Sequence, residues 1–585
     1  MSNLTSFLRR ALYHTALGAI LVALAPALRA QNTDATDTAP GVGESAAEPA
    51  HVPAAPATSA APTGPSLLTN GDFSAATQDP LWPDGWPHDP AQPITWEKEG
   101  SLRFLRLVSQ KEGQLVQLTR TLPLSPDVKG LVLTVRFRIA NFKFGTNGSG
   151  GPSYSKDIHF SYKFVDAQGQ PVGKGGGMVL DSHAKNWTDV SRRFLVPDGA
   201  AAIQLIPVIA QVKSGTLDLG QVIVTSMPAA EAGALAQAPL LAEKKQTEDE
   251  ADILKLLELP SKTPEIKVSG NKLVTAAGAT VWLQGVNVPS LEWSAKGENI
   301  LRSVKVAIDD WKANVIRLPV NDGFWFGRGK APQTRNDPEA YRLVVDNAIK
   351  LAAARGAYIV LDLHRFHAPE DGAVEFWKDA AARYKNNPAV LFDLFNEPTG
   401  IPWAVWQKGG DFQVKQKGKT ELLTKHSTGM QALIDAVRST GAKNIVVAGG
   451  LGYAYDLSGV LNGFALTDSS GNGIMYATHF YNWHGGWQKR FLDVAAKYPI
   501  LVGEFGADVK KMGFIPAKNQ EDPYTWSPDA LALVQKYRLN YTAFCIHPKA
   551  TPRLIENWNY DPTPFWGQFV KDALAGKKFE LKKLR

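Results

Sequence analysis

From about residue 266 to the end of the chain, one pattern recurs: a short apolar run, then a stretch with helical spacing of apolar residues. Eight runs fit it: "TVWLQGVN", "NVIRLPV", "YIVLDLH", "AVLFDLFNE", "NIVVAGG", "IMYATHFY", "ILVGEFG" and "YTAFCI". A strand apolar on both faces belongs in a parallel sheet covered by helices. Stretches such as "PEAYRLVVDNAIKLAAARG" and "TGMQALIDAVRSTG" supply those helices. Eight such units over 266–585 specify an α/β fold, a closed (β/α)8 TIM barrel. A doubly wound open sheet is the alternative, but no glycine-rich phosphate loop follows a first strand.

The polar residues of these runs gather at their C-terminal ends. They are Asn287, Arg317, His364, Asn396-Glu397, His479, Tyr481 and Glu504. In a barrel those ends share one face, and the active site lies there. Glu397 closes "LFDLFNEPTG" and Glu504 closes "VGEFG", each an apolar strand tipped with an acid. A carboxylate at the tip of a buried strand is costly to desolvate unless the site uses it. Two of them, among Arg, His, Asn and Tyr, form a candidate catalytic pair. Such a pair suits glycosidic bond hydrolysis: a gap of about 5–5.5 Å implies retention and roughly 6.5–9.5 Å inversion. His364 and His367 could suggest metal ligands. A metal-dependent amidohydrolase barrel, however, needs His-x-His after its first strand, where this chain reads "GVNVP". Asp362 and Asp393 are read as structural residues turned away from the strand tips. Trp293, Trp325, Trp403, Trp406, Trp483 and Trp487 are read as loop residues able to stack on sugars.

The motifs "NVIRLPV", "DLH", "FNEP", "HFY" and "VGEFG", in this order, resemble glycoside hydrolase family 5, a retaining clan of (β/α)8 barrels. The resemblance implies Glu397 as acid/base and Glu504 as nucleophile. It implies that Asn396 holds the sugar 2-hydroxyl, that Tyr481 positions the nucleophile and that Arg317 keeps it ionised. His364 and His479 would line the same subsite. The family places a Trp at the end of the eighth strand. Here Phe544 stands there with His547 close behind, and Trp483 or Trp558 can take the platform role. The implied activity is that of a cellulase-type endo-β-1,4-glucanase on a polysaccharide or oligosaccharide. The alternatives are a β-mannanase, a xyloglucanase, an exo-acting β-glycosidase closed off by the insertions after the second and fourth runs, or a non-catalytic glycan-binding protein. No cofactor and no catalytic metal are implied.

The N-terminal half has a different grammar. Arg9-Arg10 before a short apolar run and a small-residue zone read as a signal peptide over 1–30, too short and interrupted for a stable membrane span. Residues 31–65 are rich in Ala, Pro and Thr and read as a disordered linker. The only cysteine is Cys545. A secreted chain without disulfides points to a bacterial secreted or periplasmic protein. Short alternating segments over 66–227 read as an all-β jelly-roll sandwich. Opening on "NGDF" and closing on "LDLGQVIV", it resembles carbohydrate-binding modules, with Trp82, Trp86, Trp96, Tyr154 and Trp187 as candidate sugar platforms. Those modules carry a structural calcium near an "NGDFE" opening; here the fifth position is Ser74. Residues 228–265 read as a second linker whose latter half, with Ile253, Leu256, Leu257 and Leu259, can form a short helix. The net charge of +7 is small for 585 residues and scattered, which argues against nucleic acid as a partner. The modular layout makes a monomer the expectation.

Overall fold

The computed structural model describes residues 64–143, 158–181, 184–210, 212–328, 336–415 and 422–585. The signal peptide, almost all of the first linker and Tyr154 lie outside these residues.

The eight runs pair in parallel, in sequence order, into a closed barrel. Its strands are β1 (Gln284–Asn287), β2 (Val315–Val320), β3 (Tyr358–Leu363), β4 (Val390–Asp393), β5 (Val446–Gly449), β6 (Ile474–Tyr481), β7 (Ile500–Gly506) and β8 (Asn540–Ala543). Alternation splits their apolar residues into two layers. Val315, Tyr358, Val360, Leu391, Val447, Met475, Ala477 and Leu501 fill the interior. Ile316, Leu318, Ile359, Leu361, Phe392, Val446 and Val502 face outward into the larger core shared with the helices. The N-terminal end of the barrel is plugged by a three-stranded antiparallel sheet, Ile266–Ser269, Lys272–Thr275 and Thr280–Val281. Its Ile266 and Leu273 join the interior cluster. With that end closed, the polar side chains of the opposite end are left at the open mouth.

Upstream, two antiparallel sheets pack face to face. One has the order Ile94–Glu99, Leu102–Ser109, Ser214–Ser226, Gly130–Lys143, Thr188–Leu195. The other has the order Val116–Gln117, Ala202–Ile209, Ile158–Val165, Pro171–Val179, with Arg120–Pro123 also pairing with Ala202–Ile209. Trp82 and Trp86 are buried in the core of this sandwich and present no free face to a sugar. Trp96 and Trp187 are half-buried, each with a guanidinium over its ring: Arg103 at 4.2 Å and Arg138 at 4.5 Å.

The second linker differs from the expectation. Residues Ala229–Leu256 form one helix, α1. Its apolar residues make no continuous stripe, which hides it from a periodicity reading. Ionic contacts hold it instead. Buried Asp249 accepts from Arg302 Nε at 3.1 Å, with Lys245 and Lys305 at 3.4 and 3.5 Å. Ile253 and Leu256 insert into the barrel's outer core, as the shorter expected helix would have placed them. At its other end Glu231 pairs with Arg193 of the sandwich at 2.7 Å. Among the described residues no helix is long and apolar enough to cross a membrane.

Candidate active site

Arg317 is the centre around which the mouth is built. The single residue of β2 with a charge points into the barrel, and its side chain is fully buried. Its Nε donates to Asp393 Oδ2 at 2.9 Å, Nη1 to Glu504 Oε1 at 2.9 Å and Asn287 Oδ1 at 3.1 Å, and Nη2 to Asn396 Oδ1 at 2.8 Å. Asp362 Oδ1 lies 3.1 Å from Nη2. One cation thus ties β1, β2, β3, β4 and β7 together. Asp362 and Asp393 are thus not turned away from the site, contrary to the expectation from sequence, but face inward onto Arg317. Asp362 is two residues before His364, so alternation puts both on one face, and Asp393 shares the interior phase of Leu391. Burial pushes both carboxyls up to about 7, against the pull of the guanidinium.

Glu504 reaches the site through an irregularity. Between β6 and β7 the register slips: Thr478 faces Val502, but His479 faces Glu504. Gly503 is the extra residue, as in a β-bulge. Its carbonyl accepts from Asn287 Nδ2 at 2.8 Å and from Thr542 Oγ1 at 2.7 Å, side chains of the flanking barrel. A side chain at Gly503 would point at His479, which leaves Glu504 to turn inward one residue later. There Tyr481 Oη donates to Glu504 Oε2 at 2.5 Å while Arg317 holds Oε1. Both oxygens of this carboxylate are therefore fixed.

Glu397 sits beyond the end of β4, where Glu397–Pro398 pairs in parallel with Phe366–His367 and extends the β3–β4 ladder. Its Oε1 shares a 3.0 Å hydrogen bond with His479 Nδ1. One oxygen of Glu397 and one of Glu504 lie within 4.8 Å of each other and of a His479 nitrogen. Desolvation, then the neighbouring Glu504 charge, raises the Glu397 carboxyl well above the usual carboxylate range. His479 is driven well below the ordinary imidazole range, first by burial and then by Arg317, so its ring is neutral. His364, hydrogen-bonded through Nδ1 to Asp362 Oδ2 at 2.8 Å, is lowered to about 4 by burial. Two buried nitrogens here have no hydrogen-bond partner, Asn396 Nδ2 and His479 Nε2.

The structure therefore brings Arg317, His364, Asn396, Glu397, His479, Tyr481 and Glu504 together. Trp483 stacks on the Tyr481 ring, with centroids 4.9 Å apart and planes 12° off parallel. Phe544, half-buried, follows β8; its amide donates to Phe505 and its carbonyl accepts from Trp566. Trp558 lies edge-on to His547, at 5.0 Å. Of the loop tryptophans, Trp325, Trp406 and Trp487 are core residues with no exposed surface, a correction to their reading as sugar platforms. Trp403 packs on Trp406, Phe464 and Gly459. Trp293 is exposed, and so is His367, at the end of the short strand that pairs with Glu397–Pro398.

Two acids of the β1 loop escaped the sequence reading. Glu298 accepts from Trp293 Nε1 at 3.2 Å and from His547 Nε2 at 3.3 Å, and those bonds pull it down to about 2. Glu292 is half-buried at the mouth and is raised to about 8. Neither lies in a strand run, so no pattern marked them; only their nearness to the first strand end could have.

A barrel whose C-terminal mouth holds two glutamates at this spacing can be compared with known proteins. Residues 274–550 match the family model "Cellulase (glycosyl hydrolase family 5)". The match lies over the barrel and covers a little under half of the chain. Endoglucanase E-5 of Thermobifida fusca is 24% identical to this chain over 261 residues, which cover 42% of it and 48% of that enzyme. Endoglucanase MaCel5A of Microbulbifer sp. is 24% identical over 312 residues, 51% of each chain. The chain thus spans about half the length of these relatives. A solved structure, the β-glucanase SdGluc5_26A from Saccharophagus degradans, aligns at 24% identity and a TM-score of 0.43, over 55% of this chain and 95% of that one.

Proposed function

We propose that this chain is a retaining glycoside hydrolase that cuts internal β-1,4 bonds of a glucan, an endo-β-1,4-glucanase. The observation that carries the reading is the pair Glu397 and Glu504, with oxygens within 4.8 Å of each other and opposite surroundings. Oxygens that close fit the short class of carboxyl pairs, about 5–5.5 Å, better than the roughly 6.5–9.5 Å that leaves room for a water between carboxylate and sugar. Glu504, with Arg317 and Tyr481 on its two oxygens, is the acid held in place and aimed as the nucleophile. Glu397, raised by burial and by Glu504, is the acid that keeps its proton.

In the first step Glu504 attacks the anomeric carbon as the glycosidic C–O bond breaks, and the Glu397 proton goes to the leaving oxygen. A glycosyl ester on Glu504 results. In the second step water attacks that carbon, gives its proton to the Glu397 carboxylate and releases Glu504. Asn396, its Oδ1 anchored by Arg317, offers the free Nδ2 to the sugar hydroxyl next to the reacting carbon. The reaction needs no cofactor and no metal. The "NGDF" opening of the sandwich also offers a poor calcium cage. Asn70 Oδ1 accepts from Ala75 N, and both oxygens of Asp84 accept from Thr77 and Gln78, whereas calcium takes six to eight oxygens. For the sandwich and α1 we favour a bracing role, and for the protein a secreted or periplasmic monomer.

The test is reducing-sugar release from barley β-glucan, carboxymethylcellulose, xyloglucan, glucomannan and galactomannan, with Glu504→Gln beside the wild type. Release from a glucan, lost in the variant, with the product's β-configuration retained by NMR, is the expected result. Inverted product, or release only from mannans or xyloglucan, would overturn the mechanism or the substrate respectively.

A further inference from the structure

Most acids that line this mouth have a side-chain partner. Glu504 has Arg317 and Tyr481, Asp393 has Arg317, Asp362 has Arg317 and His364, Glu397 has His479, and Glu298 has His547 and Trp293. Glu292 is the exception among the described residues. Its carboxyl is held only by backbone N–H groups, that of Ser290 at 2.7 Å on Oε2 and its own. The hold is built into the loop. Ser290 adopts a left-handed backbone (φ 108°), and its Oγ accepts from Glu298 N at 2.8 Å. The carbonyl of Glu292 accepts from Asn321 Nδ2 at 3.1 Å, and that of Leu291 from buried Tyr341 Oη at 2.7 Å. The loop after β1 is thereby braced on the loop after β2, with Leu291 buried and Trp293 exposed on either side of Glu292.

A fixed carboxyl with no cation, at the mouth of a sugar-cleaving site, is waiting for donors or acceptors that the substrate brings. We propose that Glu292 is a specificity-determining residue that hydrogen-bonds the hydroxyl groups of a neutral sugar unit seated beside Trp293. The proposal rests on the hydrolase reading above. The chemistry favours a neutral hydroxyl pair over an ionic ligand. Glu292 faces Asp362 on β3 and Glu504 on β7, and beyond them Tyr341 and the buried Cys545, with no cation of its own. Burial, and then those two carboxylates, raise it to about 8. At neutral pH it therefore carries a proton and offers one donor and one acceptor, which matches adjacent hydroxyls of a pyranose. Above pH 8 it becomes an anion, loses the donor and repels further negative charge.

The experiment compares wild type, Glu292→Ala, Glu292→Gln and Glu292→Asp on barley β-glucan from pH 6 to 9, with melting curves to confirm folding. One hydrogen bond to a neutral hydroxyl corresponds to about two- to tenfold in affinity. The expectation is that Glu292→Ala raises KM about fivefold at pH 7 with kcat nearly unchanged. Glu292→Gln, which mimics the protonated acid, restores KM. Wild-type KM rises above pH 8 and that of Glu292→Gln does not. An unchanged KM in Glu292→Ala, or an alkaline rise that persists in Glu292→Gln, would overturn the proposal while the hydrolase stands. If wild type releases no sugar, calorimetry with cellotetraose on Glu504→Gln, with and without Glu292→Ala, separates the two ideas. Binding weakened by Glu292→Ala keeps the residue's role and removes the hydrolase; no binding removes both.

Discussion

Gly503 is the residue on which the geometry of the acids depends most, and Gly503→Ala is the perturbation that isolates it. A Cβ at this position would sit 2.7 Å from His479 Nε2, 3.2 Å from its Cδ2 and 3.6 Å from Arg317 Nε. A comfortable carbon–nitrogen contact is about 3.5 Å, so the imidazole must retreat by roughly 0.8 Å. It cannot swing freely: His479 is 1% exposed, and its Nδ1 holds Glu397 Oε1. The backbone at Gly503 is not in the left-handed region, so the substitution acts through this contact and not through φ. Overpacking of this kind costs about 1–3 kcal/mol of stability. Displacing a catalytic group by about 1 Å can cost on the order of 100-fold in rate. We expect kcat on the best glucan to fall about 10- to 100-fold, with KM within about threefold and the melting temperature lowered by a few degrees. Reducing-sugar kinetics and a thermal melt read all three. Gly485→Ala, where an added Cβ meets nothing within 4 Å, is the control. Wild-type kcat in Gly503→Ala would contradict this expectation, because the ring would then have room to move without disturbing Glu397.

Further expectations concern charge and packing. Arg317→Met leaves Asp362, Asp393 and Glu504 around an empty centre; losing one partner of a buried ion pair costs about 3–5 kcal/mol, so urea unfolding should shift by that amount and activity should vanish. Stability should also fall as pH rises from 6.5 to 8. The carboxyls of Asp362 and Asp393, at about 7, and of Glu292, at about 8, bind protons more tightly folded than unfolded, so their contribution is full below their unfolded values and is lost from there up through their folded values, the last part of it between pH 6.5 and 8. The lowered histidines His364 and His484, at about 4, act the other way, but only as pH falls from 6.5 through 4. Urea midpoints from pH 6.5 to 8 test this; a flat profile would contradict it. In the sandwich, Trp86→Ala removes a core residue and should cost about 3–5 kcal/mol, while pull-down of the folded protein on insoluble cellulose stays unchanged.

Much of this architecture could be read without a structure, for a local reason. A parallel strand covered on both sides is written as an unbroken apolar run, and a polar residue at its end stands out against it. That contrast exposed all eight barrel strands and brought Arg317, Asn396, Glu397, His479, Tyr481 and Glu504 into one set. Other features depend on partners far away in the chain, which no local pattern encodes. Asp362 and Asp393 look like strand residues until Arg317, from another strand, is placed between them. The slip at Gly503 changes which side chains face inward, and it depends on Asn287 and Thr542 taking its carbonyl. Trp325, Trp406 and Trp487 read as loop aromatics, yet the helices close over them. The helix α1 holds through Asp249, Arg302 and Lys305, an ionic contact that hydrophobic periodicity does not record. The residues able to do acid–base chemistry were written in the sequence; the distance between the two glutamates, and the neighbours that divide their roles, came only from closing the barrel around one buried arginine.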